Sequence, residues 1–385
     1  MMRVLHIVPY FYQAWAYGGI PRLSYHLCSA LQKLGVQVDV VTTDAYDRDS
    51  RQKQLNYEVD KITVRSYKNI SNRLAYDLQL FFPVGLAREK TRLNQYDLVH
   101  IHGHRNLLNT RMASWAADKR LPIVFEPNGT LVNIERRQLL KAAYDILFGN
   151  RQISRTNLFL AVSEAEKKQF LELGIPQSKI RILPNGVYVE DPNPAVNFKE
   201  KYGVQGDYIL YLGKLTPRKG IEYVIHALKL LPDKNLKAVI AGNDMGMLPR
   251  LKNLARELEI DERVIFTGIL HSPWKEAAYR EALVTIYAGT YEIFGLVQFE
   301  SILCGTPAIV ADDCGAGEWL KKSGGGYLVP YADPKAIAQI VQQLDRAKEK
   351  EKIALAQEWI RKNLSWEAVA QQLKIYYQQV LESRK

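Results

Sequence analysis

Short apolar runs alternate with amphipathic helical stretches along this chain, and near residue 192 the alternation starts again. In the first half the runs at 3–8, 36–41, 62–67, 97–101, 122–126, 158–162 and 179–183 read as strands, each bounded by turn residues. In the second half 208–213, 236–241, 263–267, 283–287, 307–311 and 327–329 read the same way. Helices are predicted between strands, for example at 19–34, 164–173, 219–231, 247–258, 273–282, 295–304 and 334–346. Strands that are apolar almost throughout and separated by helices belong to parallel sheets covered on both faces. The fold class is therefore α/β, with two doubly wound domains. Glu190-Asp191-Pro192-Asn193-Pro194 has the composition of a linker. The tail beyond Ala347 lacks a strand signal and reads as two helices broken at Asn363-Leu364-Ser365. The expected layout is a first domain over 1–190, a second over 191–364 and a final helix over 365–385.

Composition narrows the class further. A chain of 385 residues has the length of two domains. With 47% hydrophobic and 24% charged residues it is globular rather than disordered. Its apolar runs fall short of the ~18 residues of a membrane span. The first apolar stretch is too short for a signal peptide and reads as a first strand. Cys28, Cys304 and Cys314 are too scattered for a disulfide framework or a metal site, so the expected compartment is the cytoplasm. The net charge of +11 is uneven. Residues 1–195 hold 26 Lys and Arg against 18 Asp and Glu, and the remainder 26 against 23. A basic first half points to an anionic partner. The cations are dispersed and no nucleic-acid-binding motif accompanies them, so nucleic acid is excluded as partner.

Open α/β sheets bind ligands outside the carboxyl ends of their strands. Two such sheets facing each other would bind in the cleft between them, which directs attention to the loops that follow strands. Tyr17-Gly18-Gly19 precedes a helix, and a glycine pair there lets backbone approach an anion. Asp97 to Arg105 places His100, His102 and His104 at a strand end, with His100 and His102 on one face. Sugar or phosphate binding by His102 or His104, structural packing, and a metal site are all open to them, although further metal ligands are lacking. Gly213 to Gly220 follows a strand and carries Arg218 and Lys219, a cation pair suited to a diphosphate. The most specific segment is Glu292-Ile293-Phe294-Gly295-Leu296 followed by Glu300, with a helix expected from about Gly295. Its amides at 294–296 suit an anion, and its two acids suit sugar and ribose hydroxyls. Neither the Gly-x-Gly-x-x-Gly fingerprint nor a Walker loop is present. Asp47-Arg48-Asp49 has a metal-transferase spacing but lies in a polar loop.

Taken together, these segments resemble the retaining glycosyltransferases of family four, which have the two-Rossmann GT-B fold. The resemblance covers nearly the whole chain. It rests on Glu292-x7-Glu300 with Phe294-Gly295-Leu296 and Gly305-Thr306-Pro307, on Gly213 to Gly220, on Leu183 to Val187 and on Asp97 to Gly103. It implies that Arg218 and Lys219, with Gly213, hold the donor diphosphate, and that Glu300 binds the ribose. Glu292 would contact the transferred sugar near the amides of Phe294, Gly295 and Leu296, with Gly19 beside the leaving diphosphate. The final helix would cross back onto the first domain. Many relatives carry a histidine where Asn128 stands after the strand at 122–126, and His104 is the substitute within reach in sequence. The segment from Asp312 to Glu318 also departs from the family pattern, although Glu318 fits its end.

The implied activity is retaining transfer of a hexose-type sugar from a UDP- or GDP-linked donor to a hydroxyl acceptor, with no metal and no cofactor beyond the donor. A lipid-linked or glycan acceptor of cell-surface polysaccharide or glycolipid synthesis, met at the inner face of an anionic membrane, suits the basic first half. An epimerase or phosphorylase of the same architecture, and a non-catalytic nucleotide-sugar-binding subunit, are the alternatives.

Overall fold

A computed structural model describes residues 1–132, 138–190 and 195–383. The expected linker residues 191–194 and the basic pair Arg136-Arg137 lie outside the described residues. The chain divides into two compact units, Met1–Gly186 with Trp366–Lys385, and Val187–Ser365.

Among the described residues of the first unit, eight strands form one sheet. They are β1 (Arg3–Ile7), β2 (Gln37–Thr43), β3 (Asn56–Val59), β4 (Ile62–Tyr67), β5 (Leu98–His102), β6 (Ile123–Glu126), β7 (Leu158–Ala161) and β8 (Ile180–Ile182). Their order is β3-β4-β2-β1-β5-β6-β7-β8, parallel except for β3. Seven of these match the sequence expectation within two residues at either end. The eighth, β3, was missed for a physical reason. It is a half-exposed edge strand, paired antiparallel to β4 through a two-residue turn. Asp60 and Lys61 both have positive φ there, the conformation of a type I′ turn, without the glycine that usually signals one.

Side chains on the two faces of this sheet enter separate cores. Leu5, Ile7, Val99, Ile101, Ile123 and Phe125 pack under helices Leu107–Asp118 and Glu164–Glu172. Val4, Val8, Leu98, Val124, Leu158 and Leu160 pack under helix Gly19–Lys33 and the C-terminal helix Trp366–Glu382. Trp366, Val369, Ala370, Leu373 and Tyr377 form the buried stripe of that last helix, at helical spacing. The chain leaves the first unit at Gly186 and re-enters it at Trp366. A Cβ on Gly186 would stand 2.2 Å from the Trp366 ring, so the exit point needs glycine.

The second unit holds a parallel sheet of β9 (Tyr208–Leu212), β10 (Lys237–Ala241), β11 (Val264–Gly268), β12 (Val284–Tyr287), β13 (Ala308–Ala311) and β14 (Gly326–Val329). Its order is β11-β10-β9-β12-β13-β14, and every strand matches the expectation within one residue. No helix among the described residues is long and apolar enough to cross a membrane.

Candidate functional site

In the second unit, β9 and β12 are neighbours although β10 and β11 lie between them in sequence. The loops after these two strands therefore diverge, which is where a doubly wound sheet offers a ligand site. Gly213 follows β9 and donates its N–H to Ala241 O at 3.0 Å. The loop from Gly213 to Gly220 is then laced to the loop from Ala288 to Leu296. Thr290 N–H donates to Arg218 O at 2.9 Å, and Arg218 Nη1 donates to Tyr291 O at 3.1 Å. Gly220 has φ +67°, and a Cβ there would lie 2.4 Å from Ala288 O. Only glycine permits that turn and that approach together.

The lacing brings Lys219 onto Glu292. Lys219 Nζ lies 2.5 Å from Glu292 Oε2 and also bonds the Tyr287 hydroxyl. That hydroxyl donates to the same carboxylate oxygen at 2.8 Å. Burial works against charge on Glu292, but Lys219, Tyr287 and Arg218 overcome it and hold the carboxyl below its ordinary range. Burial keeps the Tyr287 phenol protonated as a donor. Glu300 has different partners: Tyr279 donates to Oε2 at 3.0 Å, and Lys275 Nζ lies 3.3 Å from Oε1. The helix carrying Glu300 runs Val297–Leu303, starting two residues later than expected and spanning only seven residues. Phe294, Gly295 and Leu296 thus form the turn before it. The Phe294 ring packs on Phe299 and Trp319, and Gln298 folds over Gly295 to donate to Phe294 O at 2.7 Å. Phe294 is therefore a core side chain that shapes the turn.

In the first unit, the corresponding pair of neighbours is β1 and β5. Gly19 is the exposed first residue of helix Gly19–Lys33. His104 follows β5, and its side chain is fully buried. Its Nε2 lies 3.0 Å from Asp145 Oδ1, and Arg105 clamps the same carboxylate at 2.7 Å. Burial, helped by Arg105 and opposed by Asp145, lowers the His104 pKa. Asn128 follows β6 with φ +50°, a left-handed conformation that asparagine tolerates better than most residues. Its Oδ1 is buried and has no hydrogen-bond partner. Asp47 accepts from the N–H groups of Asp49 and Ser50 and from Ser50 Oγ, so its carboxylate closes a turn.

His100 and His102 do share a face, and both are buried. Register adds a residue that the sequence reading did not connect with them: His6 stands opposite His100, and His102 opposite Glu126. His6 Nδ1 and His102 Nε2 are 2.9 Å apart, and Glu126 Oε2 lies 3.2 Å from both His100 Nε2 and His102 Nδ1. Tyr377 of the C-terminal helix completes the set, 2.5 Å from His100 Nδ1 and 3.3 Å from His6 Nε2. With neutral imidazoles, His6 donates to His102 and Tyr377 donates to His100, which leaves the His100 and His102 protons on the nitrogens nearest Glu126, at 3.2 Å but without hydrogen-bond alignment to Oε2. His6 Nε2 and the Tyr377 oxygen then have no proton to share, which accounts for the longest contact.

The three imidazoles are close enough for a metal ion. However, His6 and His102 bond head to head, and His100 and His102 stack with planes 20° apart. The facing nitrogens of His6 and His102 are already taken up by each other, so the set fits a proton network better than an ion. Tyr377→Phe should cost about 1–3 kcal/mol, the usual penalty for an unsatisfied buried partner, read as a lower urea midpoint. Burial, then His102, lowers the His100 pKa to about 4, with Glu126 opposing. A depressed histidine contributes stability above its unfolded value near 6.5 that is lost as pH falls toward 4. Urea midpoints of the first unit should therefore drop between pH 6.5 and pH 4.

Comparison with known proteins follows the same division of the chain. Residues 17–191 match the model described as Glycosyltransferase Family 4, and residues 195–362 the model described as Glycosyl transferases group 1. An uncharacterized glycosyltransferase of Methanocaldococcus jannaschii is 26% identical over 95% of both chains. A D-inositol 3-phosphate glycosyltransferase of Thermobispora bispora is 23% identical over 95% of this chain and 90% of its own. Sucrose-phosphate synthase from Thermosynechococcus elongatus superposes with a TM-score of 0.74 over the whole of both chains, at 18% identity. Anabaena HepE, solved with UDP and glucose, gives 0.74 over 98% of this chain and all of its own, at 19% identity. Two doubly wound units of this topology make the GT-B fold that these solved structures share. The chain belongs to the group 1 glycosyltransferases, of the family-4 kind.

Proposed function

We propose that the protein is a retaining, metal-independent hexosyltransferase. It moves a hexose from a UDP- or GDP-linked donor to a hydroxyl of a lipid-linked or glycan acceptor in cell-surface polysaccharide or glycolipid synthesis. The observation that carries this reading is the junction of Arg218 and Lys219 with Glu292 at the switch point between β9 and β12. Two cations there suit a diphosphate, and an ionised acid beside them suits the hydroxyls of the attached sugar. HepE, whose solved forms hold UDP, glucose and UDP-glucose, supports a nucleotide-sugar donor.

The transfer breaks the bond between the anomeric carbon and the diphosphate oxygen. The acceptor oxygen bonds that carbon on the same face, and its proton passes to the departing phosphate oxygen. Arg218 and Lys219 stabilise the charge on the leaving group, a task of positioning and electrostatics. Gly19, Asn128 and His104 are the contributions proposed for the first unit. Turnover should survive EDTA. If chelation abolished it and Mn²⁺ or Mg²⁺ restored it, the metal-independent reading would fall. The anomeric configuration of the product, read by NMR, decides retention.

The acceptor side is proposed to meet a membrane. Two stretches of the first unit expose apolar side chains: Leu139, Leu140, Ile146 and Leu147, each two-thirds exposed or more, and Ile70 with Val84. Lys141, Arg151 and Arg73 lie in or beside these stretches. Apolar residues among cations suit an anionic interface, where each cation contributes about 1 kcal/mol. The protein should co-sediment with phosphatidylglycerol vesicles and be released by high salt. Equal binding to neutral vesicles, or none to either, would leave a soluble acceptor as the better reading.

A further inference from the structure

Ser163-Glu164-Ala165-Glu166 has the spacing of a capping box, in which the acid reaches back to its own helix start. Half of the box forms. Ser163 Oγ accepts from Glu166 N–H at 3.2 Å, and Ser163 caps helix Glu164–Glu172. The carboxylate, however, is diverted. Glu166 Oε2 accepts from Val162 N–H at 2.8 Å, and Oε1 accepts from Gly129 N–H at 2.6 Å. Glu166 is wholly buried. One carboxylate thus ties the turn after β7 to the turn after β6.

The second of those turns is the one that presents Asn128. Asn128 and Gly129 both have left-handed backbone, at φ +50° and +78°. An Asn-Gly pair adopts two such residues in succession readily, so contacts from outside the turn decide where it sits rather than whether it forms. Thr130 supplies a local brace, donating from both N–H and Oγ1 to Pro127 O at 3.1 and 2.6 Å. Glu166 reaches this turn from another element as an acceptor. Removing it would take this acceptor from the half-buried Gly129 N–H.

We propose that Glu166 is a positioning residue for the transfer reaction: its ionised carboxylate clasps the Asn128 turn through Gly129, and protonation releases it. The inference rests on the transferase reading, in which Asn128 serves the donor sugar. Two N–H groups converge on the two oxygens, so a proton on either one has no acceptor and displaces an amide. Burial raises the Glu166 pKa to about 7, against the pull of the Val162 and Gly129 amides. Facing it from β6 is Glu126, which adds to the rise and is itself kept ionised by His100 and His102 of β5. Across Thr130 stand His104, Arg105 and Asp145, which are bonded to one another or to Thr130. On its own helix Lys167 pairs with Glu164.

The test uses the full-length protein and two readouts. In the first, the Gly129 and Val162 amide signals are followed by NMR from pH 5.5 to 8.5, and both should shift with one midpoint near 7. In the second, hydrolysis of UDP-glucose, which needs no acceptor, should lose kcat on the acid side with the same midpoint while UDP affinity stays level. Glu166→Gln keeps one acceptor but turns an amide toward the other N–H. It should lower kcat tenfold or more, abolish the acid limb and leave UDP affinity unchanged. In an Asn128→Ala background the same substitution should cost little further. Amides that do not titrate, a flat kcat profile, or losses that simply multiply in the double variant would each overturn the clasp. Absence of turnover with every nucleotide sugar at every pH would overturn the transferase reading instead, and the amide titration tells the two failures apart.

Discussion

Replacing Arg218 and Lys219 together by alanine should weaken binding of UDP or GDP by about a hundredfold to ten-thousandfold. In the proposed reading each cation donates charge-assisted hydrogen bonds to a diphosphate, worth about 1.5–3 kcal/mol apiece, and every 1.4 kcal/mol is tenfold. The loop that carries them is fixed independently, by Thr290 N–H on Arg218 O and by the close approach at Gly220. Those backbone contacts survive the double substitution, while the Arg218 bond to Tyr291 O and the Lys219 pair with Glu292 are lost with the charges, which is why the fold is checked separately. The free protein also stores Lys219 against Glu292, and a diphosphate must compete for that ammonium. Affinity in the native protein should therefore fall with ionic strength, while the double variant loses most of that dependence. Calorimetry with UDP and GDP, with thermal melts to verify folding, checks the result. An unchanged affinity would remove the diphosphate assignment altogether.

How much of this was legible in the sequence depends on whether a residue's partners are local. The parallel strands of both sheets were legible because apolar runs bounded by turns define them without reference to anything distant. β3 was not, because a half-exposed edge strand joined by Asp60-Lys61 lacks both the apolar run and the glycine turn. The pair Glu292 and Glu300 stood out by spacing. Their tyrosine and lysine partners did not, since Lys219 reaches Glu292 across 73 residues and Tyr279 reaches Glu300 across 21. Strand register decides such contacts. The same holds for His6, which meets His102 across 96 residues, and for Tyr377, which meets His6 across 371. His104 illustrates both sides. Its place in the sequence suggested a substitute for a missing histidine, and its bond to Asp145, a partner 41 residues away, was not legible there. Glu166 carried a visible signal, the capping-box spacing, that names a different bond from the one it makes.

Glu292→Gln and Glu300→Gln should divide the reaction between them. Glu292 sits among Lys219, Tyr287 and the Arg218 loop, and these partners hold its carboxyl ionised despite burial. A charge kept in so dry a setting suits a group whose hydrogen bonds tighten as the sugar reacts. Glutamine preserves the shape but removes that charge and loosens Lys219, so kcat should fall by about a hundredfold to a thousandfold, the usual cost of one preorganised electrostatic partner. The donor KM should change little, because a loss felt only in the transition state leaves ground-state binding intact. Glu300 is held by Tyr279 and Lys275, partners that it does not share with Glu292. Its proposed ribose hydrogen bonds are the same before and during reaction. Losing the charge there should raise the donor KM by about tenfold to a hundredfold, the worth of one or two charge-assisted bonds, with kcat nearly constant. Steady-state kinetics of both variants with one donor separates the roles. The reverse pattern would mean that Glu300 serves the reacting sugar and Glu292 the ribose, and equal losses in both parameters would mean that neither acid has a distinct part.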